Sequence, residues 1–230
     1  IQGRFETVPF LESTEQTIHV LSKAFINNLP DSEQGAVVER CREIATILSK
    51  EEALPGSLTA DNAAELFAKC YPLHPVSALL LPVLCQKMAQ NERTLFSYLG
   101  SREAFGFKDS LSQFESTEGW VLPWHIYEYF IQNQPTVISD PITHRRWAEV
   151  VTAIERLGDA PPEDIQMLKT IGLLNIVGAQ AGFRASKKII ESCTTDGNAV
   201  ERSAKNLKRK SVVQFRKFSN EYRVWQGSDF

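Results

Sequence analysis

The chain has 230 residues, 43% hydrophobic and 23% charged, with a formal net charge of −3, a composition that suits one large or two small globular domains. Its longest apolar stretch, near residues 76–84, is broken by Ser77 and Pro82 and falls far short of the ~20 residues a bilayer crossing requires. Residues 1–15 contain no apolar run of signal-peptide length. No membrane partner is expected, and the chain is expected to be cytoplasmic.

Taken in order, residues 5–10 alternate Phe5, Thr7, Val8 and Phe10 around Pro9, as a short strand or its exit would. Ser13 and Thr14 followed by Glu15 mark a helix start, and Ile18, Leu21, Phe25 and Leu29 recur at helical spacing until Pro30. A second helix is expected over 33–49, with Val37, Cys41, Ile44 and Leu48 inward. Thr59-Ala60-Asp61 opens a third, which reaches Cys70. Tyr71-Pro72-Leu73-His74-Pro75 reads as extended because each proline disfavours helix in the residue before it. Pro75 then suits the first turn of a helix to about 90. Leu95, Phe96, Tyr98 and Leu99 form another apolar segment. Residues 100–120 read as a loop with a short helix, and 120–131 as an aromatic helix. Residues 133–141, polar with two prolines, are the best linker.

Beyond it, Trp147, Val150, Val151 and Ile154 define a helix over 142–157. Ile165, Leu168, Ile171, Leu174 and Val177 define the next, which Gly178 is expected to end. Ser186 suits the cap of a helix over 187–193, and Asn198 the cap of one that turns Val200, Ala204 and Leu207 inward. Two β-rich runs, 212–218 and 222–225, flank Ser219-Asn220-Glu221 as a hairpin.

Charge is distributed unevenly along the chain. Residues 184–230 hold 11 Lys and Arg against 5 Asp and Glu, which leaves 14 basic and 23 acidic residues elsewhere. A basic C-terminal segment points to an anionic partner, or to a solvated face without one. Helix, extended piece, helix, turn, helix and hairpin over 163–226 follow the winged-helix order, in which the last helix faces a DNA major groove. The outward set would be Arg202, Lys205, Asn206, Lys208 and Arg209, joined by Arg216, Lys217 and Arg223 on the hairpin. The cations suit phosphate contacts and Asn206 suits a base edge. The same module also serves for protein packing in many ATPases, and both roles stay open at this point.

Gly3-Arg4-Phe5 ahead of a strand and an amphipathic helix resembles the end of an AAA+ ATPase core entering its helical lid. The resemblance extends through Tyr71-Pro72-Leu73-His74-Pro75-Val76, Gln90-Asn91-Glu92-Arg93-Thr94-Leu95-Phe96, Leu168–Asn175 and the terminal Tyr222-Arg223-Val224-Trp225. The chain is similar there to large prokaryotic AAA+/STAND-like P-loop ATPases of phage-defence islands, BREX-type systems included, and distantly to Orc-like initiators. The resemblance implies a mainly α fold: a helical lid-like domain over 1–135 with a core-strand remnant, then a winged-helix domain over 141–230 with a C-terminal β-hairpin. It implies Arg4 and Arg93 as arginine-finger or sensor groups, with Glu92 steering Arg93. Surface ion pairing is the plainer role for all three.

No G-x-x-x-x-G-K-[ST] occurs, so nothing here cradles phosphates. The chain, which starts without Met, is expected to be a non-catalytic portion of a longer ATPase and to hold no cofactor itself. ATP and Mg are expected for the full-length protein. Its expected partners are the upstream ATPase core, duplex DNA and other defence-system proteins. A stand-alone winged-helix regulator and a protein-interaction scaffold are the alternatives. Cys41, Cys70, Cys85 and Cys193 lie far apart in apolar contexts and are expected to be buried free thiols. No metal site is expected, since the four histidines do not cluster with them. His74, between two prolines, reads as a packed or capping residue, and no G-x-S-x-G or dinucleotide fingerprint is present.

Overall fold

The computed structural model describes residues 13–25, 29–87, 91–114, 119–133, 141–194 and 196–225. Local signals start several of its helices. Before α1 (Thr14–Ala24), the Ser13 hydroxyl accepts from the Gln16 N–H while the Gln16 side chain accepts from the Ser13 N–H, a reciprocal capping box. Pro30 precedes α2 (Asp31–Lys50), whose first turn holds Asp31 and Glu33 where the helix dipole favours anions. Thr59 caps α3 (Ala60–Lys69) through the Asn62 N–H.

Two histidines take over the capping role where serine or threonine is absent. His74 Nδ1 accepts from the Val76 N–H at 3.2 Å at the start of α4 (Pro75–Lys87). Further along come α5 (Asn91–Gly100) and α6 (Phe107–Ser112). His125 Nδ1 accepts from the Leu122 N–H at 2.9 Å at the start of α7 (Pro123–Asn133). The aromatic helix therefore starts at Pro123, and Val121 instead bridges Leu73 in extended backbone.

The remaining elements are α8 (Pro141–Leu157), α9 (Pro162–Ala181), α10 (Lys187–Ser192), α11 (Gly197–Arg209), β1 (Val213–Arg216) and β2 (Glu221–Val224). Ser186 caps α10 as its position predicts. Two other terminus expectations need correction. Asp196, not Asn198, caps α11, because its carboxylate accepts from the Asn198 N–H. Gly178 does not end α9; the helix runs on to Ala181 and Gly182 terminates it in the left-handed region at φ +71°. The α1 periodicity also extends past the helix itself, which closes at Ala24 with Phe25 in extended backbone.

The apolar run near 76–84 becomes the centre of the molecule. Every residue of α4 from Pro75 to Cys85 is buried, and α4 packs against α1, α5, α7 and α9. Leu79, Leu80, Leu81 and Leu84 are inaccessible to solvent, and each such leucine contributes about 1.5–3 kcal/mol of burial. One hydrophobic core runs from Ile18 to Tyr222 through both halves of the chain. α9 carries the second half, touching α7, α8, α11 and β2, while α10 packs on α2. Among the described residues no helix is long and apolar enough to cross a membrane. All four cysteines are free and buried.

The hairpin is anchored at its outer edge. β1 and β2 pair antiparallel with Gln214 opposite Arg223 and Phe215 opposite Tyr222. The Tyr222 N–H donates to the Ala185 carbonyl at 2.8 Å, so the extended piece before α10 lies along β2. The buried Asn175 side chain then acts as a further strand: Nδ2 donates to the Tyr222 carbonyl at 3.0 Å and Oδ1 accepts from the Val224 N–H at 2.9 Å. An edge strand that would otherwise expose unpaired backbone groups is thereby satisfied.

Candidate functional site

Helix α11 is strongly two-faced. Ala199, Val200, Ser203, Ala204 and Leu207 are buried, whereas Arg202, Lys205, Lys208 and Arg209 are exposed, followed by the exposed Lys210. Arg202, Lys205 and Arg209 fall at i, i+3 and i+7, on one stripe. Among the described residues none of these three is in an ion pair, whereas elsewhere Arg40 pairs with Glu43, Arg42 with Glu39, and Lys187 and Lys188 with Glu191. Lys208 leans back over the Phe215 and Tyr222 rings, at 5.6 and 5.4 Å from their centroids.

Asn206 departs from the expected role. It is half-buried, and its Nδ2 donates to Asp164 Oδ2 at 3.1 Å, tying α11 to the start of α9. The amide is a clasp within the fold and not an outward base reader, and the buried Asp164 (3% exposed) would otherwise lack that donor.

The hairpin cations divide into two groups. Lys217 lies in the exposed turn beside Phe218, an aromatic ring 88% exposed at the tip. Arg216 and Arg223 share the face that alternation sets opposite Phe215 and Tyr222, and with Gln214 they line a cleft of about 500 Å³ against α8. There they meet Arg145 and Arg146, two residues that sequence reasoning does not select. Their signal is an adjacent arginine pair before Trp147, outside the basic C-terminal segment and far from the hairpin along the chain.

The geometry of this cleft is set by bonds at its base. Arg146 Nη1 donates to the Asn175 carbonyl at 2.7 Å, Arg145 Nε to Glu149 at 3.2 Å, and Arg223 Nε to Glu221 at 3.0 Å. Partial burial, then the positive charge of Arg223, hold Arg146 below the ordinary arginine value; Glu149 and Glu221 oppose this and Arg216 adds to it. Like charges have been drawn together here.

A second cleft, of about 330 Å³, opens between the two halves of the chain, with Arg40, Trp120, Trp124, His74, Cys193 and Ser203 among its walls. His74 and Cys193 face one cavity but are not poised as a reactive pair. Burial lowers the His74 pKa to about 3, and the ring is engaged at both nitrogens, with Nε2 donating to the Ser192 carbonyl at 2.9 Å. Burial likewise pushes the Cys193 thiol up to about 12, so it stays protonated. Arg40 donates to the same Ser192 carbonyl at 3.1 Å, which joins α2 to α10.

Arg4 lies outside the described residues. Arg93 and Glu92 fall within α5, but their side chains are likewise outside what is described. Among the described residues no group of His, Cys, Asp or Glu is arranged to hold a metal ion. Comparison with known proteins finds no matching family model, curated protein or solved structure.

Proposed function

We propose that residues 141–225 form a winged-helix module that binds duplex DNA through α11 and the hairpin turn. The observation that carries this reading is the cation stripe Arg202, Lys205 and Arg209, in no ion pair among the described residues, on a helix whose opposite face is buried. A cation not held in an ion pair gains most from a phosphate, and release of condensed counterions supplies the driving force. The element order and the Tyr222–Ala185 bond, which sets the extended piece beside the hairpin, support a winged helix. So does the turn, which presents Lys217 and the exposed Phe218 to whatever lies beyond it.

A fluorescein-labelled 20-bp duplex, followed by anisotropy at several salt concentrations, tests this. Changing Arg202, Lys205 and Arg209 to Gln is expected to weaken binding roughly 100-fold and to lower the salt slope by about 1 for each phosphate no longer neutralised. Lys208 is left in place because it also packs on two rings. Unchanged affinity would remove α11 from the interface and favour a protein-docking role.

We propose further that the module belongs to a larger AAA+-like ATPase, coupling its nucleotide state to DNA or partner binding in phage defence. The support is the resemblance around Gly3-Arg4-Phe5 and Arg93. In the full-length protein, with ATP and Mg bound, Arg93→Ala is expected to lower ATP hydrolysis about tenfold or more while the melting temperature holds. Full turnover in that variant would demote Arg93 to a surface charge.

A further inference from the structure

The α11 stripe leaves the opposite face of the hairpin unexplained. There, four guanidinium groups, Arg145, Arg146, Arg216 and Arg223, line one cleft of about 500 Å³. Among the described residues two carboxylates oppose them, and both are already engaged, Glu149 by Arg145 and Glu221 by Arg223. Arg216 has no ion-pair or hydrogen-bond partner among the described residues. Among the described residues Arg146 makes one hydrogen bond, from Nη1 to the Asn175 carbonyl.

A gathering of like charge, with Arg146 and Arg223 half-buried and Arg145 and Arg216 exposed, is unfavourable by itself, and an anion seated among the four would reverse the sign of that interaction. Guanidinium forks match the oxygens of a phosphate in paired hydrogen bonds, a geometry that lysine does not offer. The cleft is also roomier than a bare oxyanion needs. Ile142, Val150, Val224 and Trp225 give it an apolar wall next to the charged one. An anionic head beside a flat or apolar body is the chemistry of a nucleotide.

We infer that the cleft between α8 and the hairpin is a nucleotide-phosphate site, formed by Arg145, Arg146, Arg216 and Arg223 with Trp225 beside the base or sugar. It stands apart from the α11 stripe, because alternation along β1 and β2 sends Phe215 and Tyr222 toward Lys208 and sends Arg216 and Arg223 the other way. The nucleotide can reach it free in solution or as one unit of a nucleic-acid strand, and the test separates the two.

The ¹⁵N-labelled chain would be titrated with AMP and, separately, with a 5′-phosphorylated single-stranded decanucleotide, following the arginine Nε–Hε resonances. Saturable shifts of Arg145, Arg216 and Arg223 are expected. Saturation by AMP assigns a free nucleotide, and saturation by the decanucleotide alone assigns a strand. Combined Arg145→Gln and Arg216→Gln should weaken that binding about tenfold or more. Both side chains are exposed, so the melting temperature should hold; Arg42→Gln on α2 controls for loss of a surface charge. No saturable shift with either probe would overturn the inference. So would shifts that survive the double substitution, or an affinity for inorganic phosphate equal to that for AMP. The duplex assay above reads different residues, so either result can fail without the other.

Discussion

Acidification from pH 7 to pH 4.5 is expected to destabilise the folded chain by several kcal/mol, about 2 from each of His74 and His125. Burial lowers the His74 pKa to about 3 and the His125 pKa to about 4, from an ordinary value of 6.5. Both rings are thus neutral in the fold and take up a proton more readily in the unfolded chain. Their contribution is fully present above pH 6.5. It falls by about 1.4 kcal/mol per pH unit for each ring below that, and levels off near the folded values.

Geometry explains why neither ring can simply charge in place. His74 Nδ1 accepts the Val76 N–H, and His125 Nδ1 accepts the Leu122 N–H. Protonation would turn each acceptor against a donor at the start of α4 or α7. A domain with stability of ~5–15 kcal/mol feels such a loss strongly. Urea midpoints at the two pH values check it, with His74→Gln expected to remove about half of the pH dependence. An identical slope in that variant would clear His74 of the effect.

Gly178→Ala is expected to destabilise the chain by about 3 kcal/mol, where an ordinary helical glycine gains up to ~1 kcal/mol from alanine. A Cβ at Gly178 would stand 2.1 Å from the Phe183 carbonyl oxygen. The obstacle is backbone, so no side-chain rotation relieves it. After Gly182 turns the chain at φ +71°, the Phe183 carbonyl returns against α9, and the buried Phe183 ring holds it there. Gly35 in α2 is the matched control, since a Cβ there meets nothing within 4 Å and Gly35→Ala should stabilise. Thermal melting of the two variants gives opposite signs if the close approach is real, and the same sign if it is not.

These two cases also show where local reading of the chain stops. Gly178 looks like a helix stop because glycine commonly terminates helices, yet its use here is to let a later segment approach. His74 reads correctly as a packed or capping residue, because the flanking prolines forbid helix on one side and start it on the other. The bond from its ring to the Ser192 carbonyl spans more than a hundred residues, and no spacing rule could supply it. Asn206 shows the same limit in reverse. Periodicity puts it on the outer side of α11, but Asp164 of α9 reaches that position and claims the amide.

The local elements are legible in adjacent residues. Apolar residues at helical spacing mark the buried faces of α1, α2 and α8, whereas α9 is buried nearly all round, and Ser13, Thr59 and Ser186 mark where helices begin. The C-terminal pair of β-rich runs closes as a hairpin, though its turn lies at 217–220 with Glu221 already in β2 opposite Arg216, and the inward set Val200, Ala204 and Leu207 is buried as expected. Caps and amphipathic periods act within one or two turns, so they are written in adjacent residues. Which charges share a space depends on how distant segments pack. Arg145 and Arg146 join Arg216 and Arg223 because Asn175 docks the hairpin against α9 and α8 lies alongside, and His74 and His125 lose their protons because the core closes over them. Electrostatic energy depends on distance and burial, and neither exists until the chain has packed.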